Sequence, residues 1–143
     1  REMKELIAAD SNICRNYKLL TSIKGVGPIT AIVMLCSTLN FTKITDHRKF
    51  ACYCGLAPFE HSSGTSVCGG CHTSSMANRD IKVQLNRSAL IAIRCDPQLK
   101  AYYERKVAEG KHKFSVLNAV RAKIAARCFA VVRRGTPYVA LQI

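Results

Sequence analysis

Residues 2 to 20, EMKELIAADSNICRNYKLL, place Leu6, Ile13 and Leu20 seven apart, with Ile7, Cys14 and Tyr17 roughly on the same face. That spacing predicts a helix with a narrow apolar seam, read as the end of a longer linker helix that begins before Arg1. In LLTSIKGVGPITAIVMLCSTL, apolar residues lead into Gly25-Val26-Gly27, Pro28 suits a first helical turn, and the apolar run continues to Leu35. The prediction is helix, tight glycine turn, helix. Asp46 is a candidate N-cap for a short helix to about Tyr53, with Gly55 suited to end it. Residues 57–76 then lose helical period and fill with Ser, Thr, Gly, Cys and His, which predicts one long loop or a short hairpin.

Helical period returns at Asn78, with Ile81, Leu85, Ser88, Ala89 and Ala92 on one face. Asp96-Pro97 starts another helix that Gly110 closes. A last helix, from Ser115 to about Arg134, buries Val116, Leu117, Val120, Ile124, Cys128 and Val131 and leaves Arg121, Lys123, Arg127, Arg133 and Arg134 on other faces. The fold class is therefore mainly α, with an N-terminal helix over 1–20, one helical domain over 21–135 and a tail over 136–143.

Composition narrows the function. Lys and Arg total 22 against 9 acidic residues, a net charge of +13 on 143 residues. Such a field draws in polyanions, and nucleic acid is the first partner to consider. No apolar run is long enough for a membrane span, and REMKELIAAD lacks the apolar core of a signal peptide, so no membrane partner and a cytoplasmic location are expected. The eight cysteines do not read as a disulfide framework, because Cys36, Cys95 and Cys128 sit in helical apolar patterns and are expected to be reduced core residues.

Three constellations carry candidate chemistry. The pattern from Leu20 through Ile23, Gly25, Val26, Gly27 and Ala31 to Met34 and Leu35 resembles the helix-hairpin-helix element of proteins that hold DNA without reading its sequence. Its glycines let the backbone approach a phosphate, the next helix offers free N–H groups, and Lys24 adds charge. The alternative is that the glycines only permit close helix packing. Cys68 and Cys71 have the CxxC bite for zinc, with Cys52, Cys54, His61 or His72 to complete a set, but Cys52 and Cys54 are too close in sequence to converge. No metal site is assigned in this chain. The third constellation is the run of serines Ser62, Ser63 and Ser66 around Gly64.

The ordered set GVGPITA, YCGLAP, SSG and ANRDIKVQL resembles the C-terminal domain of the Piv-type invertases and the DEDD insertion-sequence transposases, the bridge-RNA-guided recombinases. The likeness covers roughly residues 18–134. It implies that Ser63, followed by Gly64, is a nucleophile that attacks a DNA phosphodiester and keeps the strand as a phosphoserine linkage. It also implies DNA as partner, a guide RNA as a further candidate partner, a homo-oligomer in the full-length protein, and Mg2+ held by an acidic N-terminal domain outside this chain. No cofactor is assigned to the chain itself. Where relatives carry a Lys-x-Gly-Asn run, this sequence has Ser75-Met76-Ala77-Asn78, which leaves Arg79 and Lys82 as the nearest phosphate contacts. Glu60 and His61 are candidate bases. The competing reading is a non-catalytic DNA-binding module that grips phosphates through Lys24, Gly25, Val26 and Gly27.

Overall fold

The computed structural model describes residues 1–56 and 79–139, and within them all regular structure is helical. The order is α1 (Glu2–Ala9), α2 (Ser11–Thr21), α3 (Pro28–Ser37), α4 (His47–Cys54), α5 (Arg79–Cys95), α6 (Pro97–Ala108) and α7 (Lys113–Arg134). The mainly α expectation is met. α7 is the spine, packed against α2, α4, α5 and α6, while α5 also receives α3, α4 and α6.

The stripes expected to face the core do so. In α5 the buried residues are Ile81, Leu85, Ser88, Ala89 and Ala92. In α7, Val116, Leu117, Val120, Ile124, Cys128 and Val131 are buried, joined by Ala125 and Phe129. Phe129 meets Phe41 edge-on at 4.9 Å between ring centroids and Phe50 at 5.4 Å, which ties α4 and the α3–α4 connection to the spine. That connection turns through three consecutive left-handed residues, Leu39 (φ 48), Asn40 (φ 56) and Phe41 (φ 61). Such geometry is unfavourable for L-residues. It is held by the Thr38 hydroxyl, which accepts from the Phe41 N–H at 2.9 Å, and by buried Asn16, whose amide donates to Asn40 Oδ1 at 2.7 Å.

Several expectations need correction. The segment expected as one helix over 2–20 is broken at Asp10, which adopts φ −112, ψ 119 and accepts from the N–H groups of Asn12 (2.8 Å) and Ile13 (3.2 Å). A carboxylate that caps a new helix competes with continuation of the old one. Among the described residues α1 then packs on α2 alone and none of its own residues is buried, and Leu6 of the expected seam is 70% exposed. Cys128 is in the core, but Cys36 and Cys95 are exposed, because each lies in the last turn of its helix, off the buried stripe. Arg127 lies off the buried stripe of α7, as expected, and is engaged there. Its Nη1 donates to Oδ2 of buried Asp96 at 2.7 Å, and its Nη2 donates to Gln98 at 2.9 Å. Asp96 meanwhile caps α6 by accepting from the N–H groups of Gln98 and Leu99. In the described part of the tail, the Tyr138 N–H donates to Ser22 Oγ at 2.9 Å and the Arg127 guanidinium lies 4.8 Å from the Tyr138 ring centre.

Candidate nucleic-acid interface

The glycine turn between α2 and α3 forms as its sequence predicts. α2 ends at Thr21, the Val26 N–H donates to the Ile23 carbonyl at 3.0 Å, and α3 starts at Pro28 with Gly27 as its N-cap. Leu20, Ile23, Val26, Ala31 and Met34 are all buried, which plants both helices on the core. The two glycines do different work. Gly25 has φ +93, and a Cβ there would lie 2.7 Å from the Ser88 carbonyl oxygen and 3.0 Å from Ala92 Cβ. Gly25 is therefore spent on close approach to α5, where the small residues Ser88 and Ala92 make room. A hydrogen bond at 3.0 Å between the Thr30 and Ser88 hydroxyls fastens the same contact.

Gly27 is the residue that faces outward. Among the described residues a Cβ there meets nothing within 4 Å, and no side chain caps α3. The first N–H groups of α3 and its positive dipole end thus stand beside open space, with Lys24 exposed next to them. Val26 contributes differently from the expectation: its side chain is buried and its N–H is already engaged. Of the four hairpin residues proposed to meet phosphate, Lys24 and Gly27 have the required access.

A second group of residues surrounds the end of α4. Gly55 adopts φ 66, its N–H donates to the Cys52 carbonyl, and the Leu56 N–H donates to the Ala51 carbonyl at 2.8 Å. This closure stops the helix. Leu56 is fully buried, and its carbonyl accepts from Asn118 Nδ2 on α7 at 3.0 Å. Since Phe50 meets Phe129 and Leu56 meets Asn118, α4 and α7 run antiparallel. Lys82, near the start of α5, is half-buried and its charge acts on the Cys54 thiol. Burial pushes that thiol up to about 12 against the smaller opposing pull of Lys82. Cys54 is buried and Cys52 exposed, so the two diverge as expected. Among the described residues no group of three His, Cys, Asp or Glu side chains is arranged to hold a metal. Arg79 is exposed at the first position of α5.

Ser63 and Gly64, with Glu60, His61, Ser62, Ser66, Cys68, Cys71, His72 and Ser75–Asn78, lie outside the described residues. In sequence, residues 57–78 contain no Lys or Arg and a single acid, Glu60. The basic residues that follow it most closely in sequence are Arg79 and Lys82, the expected phosphate contacts. Both were legible as such. The setting of Arg121 was not: on α7 it falls among the charged positions between buried Val120 and Ile124, and only the fold shows it to be partly buried.

A profile of the transposase IS116/IS110/IS902 family matches residues 17–104, more than half of the chain. The chain belongs to that family. The match runs from α2 into α6 and takes in the glycine turn, the serine-containing stretch and all of α5. Relatives include the insertion element IS110 uncharacterized 43.6 kDa protein of Streptomyces coelicolor, 39% identical over 121 residues, which are 84% of this chain and 29% of that protein. The pilin gene-inverting protein of Moraxella bovis is 24% identical over 135 residues, 94% of this chain and 42% of its own length. The insertion element IS900 uncharacterized 42 kDa protein of Mycobacterium paratuberculosis is 30% identical over 112 residues, 77% of this chain and 28% of its own. The chain thus spans well under half the length of these family relatives. Among the described residues no helix is long and apolar enough to cross a membrane.

Proposed function

We propose that this chain is the C-terminal, DNA-handling part of a transposase or site-specific recombinase, and that it supplies Ser63 as the nucleophile for strand cleavage and exchange. The family match across residues 17–104, which includes the serine-containing stretch, carries this reading. The net charge of +13 supports a polyanionic partner. In the proposed step the Ser63 hydroxyl loses its proton and attacks phosphorus. An Oγ–P bond forms as one strand P–O bond breaks, and the released strand end departs as a hydroxyl. A hydroxyl of the recipient strand later reverses this attack, so the energy of the broken linkage is kept. Gly64 gives the backbone room near the phosphate, and cations from the flanking helices stabilise charge on its oxygens.

Mg2+ held by an acidic domain beyond this chain would supply charge stabilisation at the phosphate, and a guide RNA fits the same backbone-directed basic surface. Strand exchange needs at least two active sites, which calls for a homo-oligomer of the full-length protein in the cytoplasm. With full-length protein and target DNA, Ser63→Ala abolishes a denaturation-resistant protein–DNA adduct and leaves binding within about 2-fold. An adduct that persists in this variant overturns the assignment. The second reading, a non-catalytic module, is favoured by the open N-terminus of α3 at Gly27. It predicts binding without any adduct in the unmodified protein.

A further inference from the structure

Basic and aromatic side chains alternate across one face of α6 and α7. The two helices pass antiparallel, as two rungs four residues apart show: Arg127 Nη2 donates to Gln98 at 2.9 Å, and Lys123 Nζ lies 4.6 Å from the centre of the Tyr102 ring. The Arg105 guanidinium lies 5.7 Å from the same ring, so Tyr102 gathers two cations to within about 10 Å of each other. Arg127 is already neutralised by Asp96 at 2.7 Å. Lys123 and Arg105 are exposed, and among the described residues neither has an ion pair, the paired acids being Glu5, Asp46, Asp96 and Glu109. Like charges inside about one screening length repel, and an anion between them turns the repulsion into attraction.

Arg134 continues the row. It is exposed and eleven residues beyond Lys123, three helical turns that return to nearly the same face of α7 about 16 Å farther along. Ala130, small and exposed, lies between them and leaves that face open. Asn118, which holds the Leu56 carbonyl, stands about 140° around α7 from Lys123, so the row lies away from the α4 side.

We propose that Arg105, Lys123 and Arg134 form a track for the DNA backbone along the α6–α7 face, with Tyr102 as the positioning residue that holds the first two in place. Each exposed cation donates to non-bridging phosphate oxygens, the arginines through the guanidinium fork and Lys123 as a point charge. Side chains already gathered on a ring lose less freedom when the strand arrives. The contacts carry no base information, and they anchor DNA on a different side of α7 from Leu56. The track rests on DNA being the partner of this domain, as argued above, and adds where the backbone lies.

The test measures duplex binding against salt with the full-length protein. Arg105→Gln/Lys123→Gln weakens binding about 10-fold and lowers the salt-dependence slope by about 0.9 for each charge removed, and adding Arg134→Gln lowers it once more. Arg105→Lys/Lys123→Arg keeps the wild-type slope. Tyr102→Leu loses affinity with the slope unchanged, and Tyr102→Phe restores the affinity. Without DNA, the melting temperature of the double Gln variant stays within about 2 °C of wild type. A duplex carrying one neutral methylphosphonate in the tracked backbone weakens wild type but not the triple variant. An unchanged slope in the double Gln variant overturns the track, and with a clear fall in melting temperature it shows that the ring contacts serve the fold alone. An equal loss in Lys4→Gln/Lys43→Gln, which removes the same charge from exposed positions elsewhere, also overturns it, as does a slope change seen with RNA but not DNA. Wild-type protein that binds no duplex defeats the proposed function together with the track. Duplex binding that the double Gln variant retains in full defeats the track alone, and an adduct that survives Ser63→Ala defeats only the nucleophile.

Discussion

At the scale of single residues, the two glycines of the α2–α3 turn separate folding from binding. Gly25→Ala forces a Cβ into the Ser88 carbonyl at 2.7 Å in a backbone conformation that L-residues avoid, and destabilises the fold by about 2–4 kcal/mol in denaturant titration. Gly27→Ala adds its Cβ to open space at φ −89 and changes stability by about 0.5 kcal/mol or less, while its bulk reaches the proposed phosphate path and weakens DNA binding. If Gly27→Ala destabilises as much as Gly25→Ala, this division of labour is wrong. The sequence pattern marks both glycines alike. Only the approach of α5, more than fifty residues away in the chain, distinguishes them.

Between elements, the contact of greatest consequence is the Asp96–Arg127 pair that locks the start of α6 to α7. Burial alone raises the Asp96 carboxyl, but the Arg127 hydrogen bond and charge and the N–H groups of Leu99 and Gln98 outweigh it and hold the carboxyl below its usual value. A lowered folded-state value means that the unfolded chain takes up this proton more readily. The pair therefore stabilises fully above the ordinary carboxylate range, and its contribution is lost as pH falls through the folded value. Thermal melts of the wild type fall in acid through this range, and Asp96→Asn removes that part of the slope. Arg127→Met strands a carboxylate that is 2% exposed and lowers stability by about 3–5 kcal/mol at neutral pH. A loss below about 1 kcal/mol there shows that Asp96 is solvated. Asp96-Pro97 was legible as a cap, whereas its partner was hidden, since Arg127 belongs to another helix.

At the scale of the molecule, the described core, with α2, α4, α5 and α6 packed on α7, shelters some thiols and leaves others outside. Burial pushes the Cys54 and Cys128 thiols up to about 12, so at pH 8 both stay unmodified by maleimide while Cys36, Cys52 and Cys95 are labelled, as peptide mass mapping reads out. Rapid native-state modification of Cys128 contradicts the packing of α7. The sequence by itself determined the helical class, the faces of α5 and α7 that meet the core, the caps at Asp46 and Asp96, and the glycine turn. These follow from local periodicity and from backbone groups paired within a few residues. Tertiary structure decided the rest: that Cys36 and Cys95 face out, that Gly25 packs while Gly27 opens, and that Arg121 and Arg127, written alike along α7, meet opposite fates. Arg127 has the acid that caps α6 within reach, and Arg121 keeps a buried Nε with no hydrogen-bond partner among the described residues. Which neighbour a charge meets is set by contacts between distant segments, and no local pattern records them.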